Sequence, residues 1–428
     1  MSRRAKRESA PFPWPVLLAV PYLALSLWLL FLTPIGHAPD ESAHLVYVRH
    51  LVAEKRLPVF RPERPGVEYE FHQPPLYYAL AAPLYERGLH RSPEQAARLA
   101  RLPNVVLGLV LIWLTYAFVR ELLPGRPWIA AGAAGFVAYL PMNLYLSATV
   151  NNDILTQVWF AAALVVMARA LRTGLTLPRA ALLGAVAGLS LLTKSIAVWL
   201  VPLGWIAVLL ARRREGGTWA RVAIGAAVFT AVALAVGGWW LVRNVHLYGD
   251  PLATRAFSQA FLTGPLARPT PWGIMQYLHL SDWDYAVRWF GWWSYRSFWG
   301  MFGPTGSAGQ RFIFLPNWIY ALLGAMTALA LAGLLRARRE RLAAWQLETV
   351  GVGVLVLVLL GVGYIGFNLM FFQAQARYLF PALPVIGLGF SAGFSYLFGR
   401  DRAAIGPAAI LLILAAALPS WLATEFST

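Results

Sequence analysis

Long apolar runs alternate with short polar breaks from one end of the chain to the other. The runs are Trp14–Leu32, Leu102–Val119, Trp128–Ser147, Ile154–Leu171, Ala180–Leu192, Ile196–Ala211, Val222–Leu241, Phe312–Leu335, Val350–Phe372, Tyr378–Phe398 and Ala403–Leu422. A helix rises about 1.5 Å per residue, so runs of this length match the hydrocarbon thickness of a bilayer. The pattern predicts an all-α polytopic membrane protein with about 11 transmembrane helices. Continuous apolar runs are not the period-two alternation of a β-barrel, which is excluded.

Two stretches have a different pattern. In Asp40–Arg56, Leu45, Val48, Leu51 and Val52 recur at helical spacing among polar residues. That is the pattern of a helix lying on the membrane surface. Pro74–Leu89 mixes aromatic and apolar residues and is short for a crossing, so it reads as a second interfacial or re-entrant helix. Both belong to a first outer loop, 33–101. A second large outer loop is 243–311, and the whole of 1–428 forms a single integral membrane domain.

Composition adds a direction to this layout. The chain is 59% hydrophobic and 13% charged, where a soluble protein carries about 25% charge. Its net charge of +17 comes from Arg clusters between the runs. The positive-inside rule explains them, with attraction to anionic lipid as a smaller contribution, and nucleic acid is not a partner. Arg3, Arg4, Lys6 and Arg7 place the N-terminus in the cytoplasm, in a multi-pass protein of the plasma (inner) membrane. Trp14–Leu32 is too long for a signal peptide and reads as an uncleaved first span. Alternating the spans from there puts Arg120 and Arg126, Arg169, Arg172 and Arg179, Arg212–Arg214, the group at 336–341, and Arg400 and Arg402 all inside. Were Pro74–Leu89 a full crossing, every later Arg group would fall outside. The chain has no cysteine, so neither a disulfide nor thiol chemistry is available.

On this topology the unusual polar residues reach one face, the outer one. Ionisable residues at membrane depth are costly and mark function. Asp40 and His44 share a helix face at i and i+4. An ionised Asp40 suits deprotonation or orientation of an acceptor, with Glu41 as a second catalytic carboxylate; the alternative is that Asp40 is a helix N-cap. Lys194, Arg243 and Arg377 stand at outer span ends, where they could bind phosphate or simply snorkel to the interface. Gln73 and Tyr78 are further candidates for the phosphate. Asp153 follows Asn151 and Asn152, and with His44 and His72 it could hold a divalent metal, the one candidate cofactor; an N-cap is again the alternative. Trp283, Trp289, Trp292, Trp293 and Trp299 read as an interfacial aromatic belt.

The ordered set Asp40-Glu41, Pro74-Pro75-Leu76-Tyr77, Asn151-Asn152-Asp153, Leu192-Thr193-Lys194 and Arg377-Tyr378 resembles the GT-C superfamily of membrane glycosyltransferases. It is most similar to the branch of the protein O-mannosyltransferases and the lipid A aminoarabinose transferases. The resemblance runs from about residue 14 to 400. It implies transfer of a sugar from a polyprenyl-phosphate donor to an acceptor (protein, lipid or glycan) on the outer face. Asp40 would be base or acceptor-orienting group. Members of this branch often carry a charged pair such as Glu-Lys before Pro-Pro, and an Arg shortly after the acidic pair. This chain has His72-Gln73 and Ala43-His44 there. The rival reading, a transporter or flippase of polyprenyl-linked glycans, requires broken helices with polar residues in mid-span. The sequence shows its polar clusters at span ends.

Overall fold

The structure, a computed structural model, describes residues 13–63, 66–216, 218–264, 267–303, 311–337 and 342–427. The basic segment Met1–Arg7, residues 304–310 of the second loop and 338–341 of the fourth Arg group lie outside the described residues.

The chain opens with α1 (Trp14–Leu32), α2 (Glu41–Glu54), a 3-10 turn at Gly66–His72, α3 (Leu76–Leu89) and α4 (Pro93–Leu122). There follow α5 (Pro127–Tyr139), α6 (Pro141–Ser147), α7 (Asp153–Thr173), α8 (Leu177–Leu191), α9 (Leu200–Arg214) and α10 (Trp219–Tyr248). The second loop folds into short helices α11 (Thr254–Ser258), α12 (Pro271–Leu278), α13 (Asp282–Asp284) and α14 (Trp292–Trp299). Then come α15 (Asn317–Arg336), α16 (Ala344–Met370), α17 (Leu383–Phe398) and α18 (Gly406–Ser427). Among the described residues the loop also carries a two-stranded antiparallel ribbon, Met301–Phe302 with Ile313–Phe314.

Nine described helical segments are long and apolar enough to cross a membrane. The two remaining runs of the sequence reading are also helical. The run 128–147 is broken: α5 and α6 meet at 64°, because Pro141 forbids a helical conformation at Leu140, whose ψ is 115°. The run 180–192 is α8, which has 15 residues. It packs backbone-close on α10: a Cβ on Gly237 would sit 2.5 Å from the Gly188 carbonyl oxygen, so small residues set this crossing. The surface helices are α2 and α3, close to their expected limits.

Several boundaries shift. The expected span from Leu102 begins at Pro93, where the Ser92 hydroxyl accepts the Gln95 N–H, so the first loop ends at Ser92. The helix α10 extends to Tyr248 and stops at Gly249 with φ 73°. The second loop therefore runs from 249 to 316.

The described Arg groups gather at one end of the bundle. Arg169 and Arg172 approach Glu121, Arg126 approaches Asp401, and Arg214 approaches Glu348. Asp153 begins α7 and Arg172 ends it, so the polar clusters lie at the opposite end. There an aromatic layer of Tyr47, Phe60, Phe71, Tyr77, Tyr78, Phe261 and Phe371 joins the first loop to the second and to the end of α16. The expected Trp belt is only partly one: Trp283 is exposed, but Trp299 is buried against Phe136 and Phe390.

Candidate active site

Asp40 precedes α2 with φ 60° and ψ 3°, in the left-handed region. Its side chain makes no cap hydrogen bond, so the N-cap alternative fails. This backbone turn aims the carboxylate into a cavity of about 230 Å³ between the two loops, the C-terminal end of α16 and the 376–382 turn. The Tyr69 hydroxyl donates to Asp40 Oδ1 at 2.8 Å. The Arg377 guanidinium donates to Asp40 Oδ2 and, at 2.8 Å, to Asp153 Oδ2. Lys194 donates to Asp153 Oδ1. Two carboxylates and two cations from four distant parts of the chain thus form one buried network. Lys194, Arg377 and Asp40 line the cavity; Asp153 lies behind them.

The residues around the network hold it in place. Asn151 Oδ1 accepts the Asp153 N–H, and Asn152 reaches Gln73 Oε1 and the Thr193 carbonyl. The Leu76 N–H donates to the Leu192 carbonyl, which docks α3 on the Lys194 turn. Gln375 Oε1 accepts from Arg377 Nε, and the Ser297 hydroxyl is held between the Ala374 carbonyl and the Ala376 N–H.

Glu41, expected as a catalytic carboxylate, is not in the cavity. It is 0% exposed and turned to the other side of α2, where Arg101, also 0% exposed, meets both its oxygens at 2.7 and 2.8 Å. The Gly36 and Val150 N–H groups fill its remaining acceptor positions. Arg101 also donates to the Leu30, Thr33 and Pro34 carbonyls. The pair therefore clamps the end of α1, the start of α2 and the α6–α7 loop together. Helix α4 can run straight through Arg101 because Glu41 neutralises it.

Arg243 also lies elsewhere. Its guanidinium stacks on Trp240 and donates to the Pro58 carbonyl, tying α10 to the first loop. Tyr78 is buried behind the cavity, stacked on Tyr47, and shares a 2.8 Å hydrogen bond with His44 Nδ1. Gln73 does line the cavity, but its amide is engaged by Asn152 and His72.

Asp153, His44 and His72 do not form the expected metal site. His72 donates from Nδ1 to the Tyr69 carbonyl, and its Nε2 accepts from Gln73. His44 Nδ1 is taken by Tyr78, and both Asp153 oxygens face cations. Burial pushes the imidazoles down, His44 to about 3 and His72 to about 4, so both are neutral. Among the described residues no group of three or more His, Asp or Glu could hold a metal ion. This donor set does not fit a divalent cation.

Three residues of the cavity wall escape the sequence reading. Tyr69 and Glu70 sit on the 3-10 turn, and burial together with Asp40 pushes the Glu70 carboxyl up to about 8. Arg268, from the second loop, lies over Phe261 and meets no carboxylate among the described residues. The available signal for Glu70 was the carboxylate itself, four residues before Pro74-Pro75. Ile196, Phe257, Phe261, Phe367 and Met370 give the wall an apolar part, and Ser195, Thr254, Ser258, Tyr364 and Gln373 also line it.

Comparison with known proteins bears on this arrangement. Residues 74–240 match the family described as dolichyl-phosphate-mannose-protein mannosyltransferase. Over 96% of its length the chain is similar in fold to the Archaeoglobus fulgidus oligosaccharyltransferase in complex with Zn and sulfate, at TM-score 0.54, 14% identity and 52% of that chain. The same enzyme tethered with an acceptor peptide gives TM-score 0.53 at 15% identity, over 96% of this chain and 54% of that one. The apo ArnT of Cupriavidus metallidurans is 17% identical, with a TM-score of 0.41 over 94% of this chain and 78% of that one. The chain spans about half the length of the archaeal structures. No curated protein sequence is significantly similar to it.

Proposed function

From the fold of the GT-C membrane glycosyltransferases, which this chain shares, we propose that it transfers a sugar from a polyprenyl-phosphate donor to an acceptor hydroxyl or amine on the outer face of the membrane. One observation carries the reading: Lys194 and Arg377 converge with Asp40 on a cavity that apolar side chains such as Ile196, Phe257 and Phe367 also line.

In the reaction the acceptor oxygen or nitrogen bonds to the anomeric carbon. The bond from that carbon to the phosphate oxygen breaks, and its electron pair stays on the phosphate. Lys194 and Arg377, joined by Arg268 from the second loop, neutralise the charge that develops there. Asp40 takes the acceptor proton. Arg377 couples the two events. It donates to Asp40, and an arriving phosphate competes for the same guanidinium. Donor binding thereby releases the Asp40 oxygen to accept the acceptor proton. Asp153 keeps the two cations together and supports the site from behind. The reading uses no metal.

The Arg groups at the far end of the bundle support the outer-face reading, since the positive-inside rule assigns such groups to the cytoplasm. The deciding experiment is sugar release from a short-chain polyprenyl-phosphate donor, counting hydrolysis as well as transfer, by purified wild type and Asp40→Asn. Wild-type turnover in the variant would remove Asp40 from the chemistry.

A further inference from the structure

The carboxyl of Glu70 has no part in the steps above. It projects from the 3-10 turn beside Tyr69, the residue that holds Asp40, and it lines the cavity at 7% exposure. Neither of its oxygens makes a hydrogen bond among the described residues, and Oε2 is buried without a partner. The nearest basic atom, His44 Nδ1, stands 4.0 Å away and is bonded to Tyr78. The cations whose fields reach Glu70, Lys194 and Arg377, are committed to Asp153 and Asp40. Buried polar groups are nearly always paired, so an unpaired carboxyl in a cavity wall marks where a ligand atom belongs.

We infer that Glu70 is a substrate-binding residue that hydrogen-bonds a hydroxyl group of the donor's sugar. The inference rests on the transfer reading. If the phosphate sits at Lys194 and Arg377, the sugar bonded to it lies beside them, on the stretch of wall that Glu70 occupies. Asp40 cannot serve the same purpose, because Tyr69 and Arg377 already hold its two oxygens. A hydroxyl is the fitting partner. Burial pushes the carboxyl up to about 8, so near neutrality it is chiefly protonated and, like a hydroxyl, both donates and accepts. An ammonium group would need the ionised form, which burial disfavours, and would add a cation to a cavity where Arg268 meets no carboxylate among the described residues.

The test compares two kinds of probe on purified full-length protein. One is a sugarless short-chain polyprenyl monophosphate. The others are the same lipid phosphate carrying mannose, glucose or galactose. Glu70→Leu is expected to weaken the best sugar-bearing probe by about tenfold or more and to leave the sugarless lipid within about twofold. Glu70→Gln, which keeps the shape and a hydrogen-bonding head, is expected to retain most of the affinity for the sugar-bearing probe. The inference is overturned if Glu70→Leu binds that probe as wild type does. It is equally overturned if both variants lose both kinds of probe together, or if wild type gains nothing from any sugar. Lys194→Met separates the two claims: it must weaken every probe, and its failure to do so would remove the phosphate site whatever Glu70 does.

Discussion

Replacing Arg101 by methionine leaves the Glu41 carboxylate at 0% exposure with only the Gly36 and Val150 N–H groups as partners. Removing one member of a fully buried ion pair typically costs about 3–5 kcal/mol, because the other charge stays buried and uncompensated. Three carbonyls, those of Leu30, Thr33 and Pro34, also lose their donor, which adds to the cost. Glu41→Leu alone should be comparably damaging, since it strands the guanidinium. The double variant Arg101→Met with Glu41→Leu removes both charges, so it should recover about 2 kcal/mol or more relative to the sum of the singles, while staying below wild type because of the stranded carbonyls. The measurement is unfolding in mixed micelles by titration with a denaturing detergent, following helix content, for all four members of the cycle. Single effects under about 1 kcal/mol, or effects that add within about 0.5 kcal/mol, would refute the clamp. Turnover per folded molecule gives a second readout. Glu41→Gln should keep a substantial part of it, since Glu41 lies outside the cavity.

Other expectations are simpler to state. Asp40→Asn should lower sugar release per folded molecule by about 100-fold or more, the usual size of a positioned base. His72 is buried as the neutral imidazole with its pKa lowered from 6.5 to about 4. Its contribution to stability is present above pH 6.5 and lost as the pH falls through 4, a loss on the order of 3 kcal/mol. His72→Gln should flatten that part of the stability curve, and an unchanged curve would contradict the assignment. The chain lacks cysteine, so Tyr277→Cys, at a position 82% exposed in the second loop, should react with an impermeant maleimide on intact cells. Arg400→Cys should react only after lysis. The reverse pattern would invert the topology.

The helices were legible because a bilayer-length apolar run is a strong signal, and all eleven expected runs are helical. The break at Leu140 was missed because Pro141 sits in a run whose hydropathy does not change. The start of α4 was missed because hydropathy treats Arg101 as a boundary, while the fold treats it as one half of a pair with a carboxylate 60 residues away. The same blindness to pairing misplaced Glu41. Its neighbour Asp40 points the other way only because of a left-handed backbone turn that no residue type there announces. Lys194 and Arg377 were found from their span-end positions. Arg243 has the same sequence credentials, yet its stem follows Trp240 and its head is spent on Pro58. Glu70 was hidden by its setting: its burial depends on the second loop closing over the 3-10 turn.

The ion pair between Arg377 and Asp40 spans 337 residues of sequence. At about 5–20 residues per second, a ribosome needs roughly 20–70 s to travel from one to the other. From the time Lys194 is made until Arg377 is, Asp40, Tyr69 and Lys194 are present with the last cation of the network still unmade. A nascent chain therefore carries an incomplete centre until the 376–382 turn is made, and a chain that stops before Ala376 has Asp40, Glu70 and Asp153 but lacks the guanidinium that joins Asp40 to Asp153.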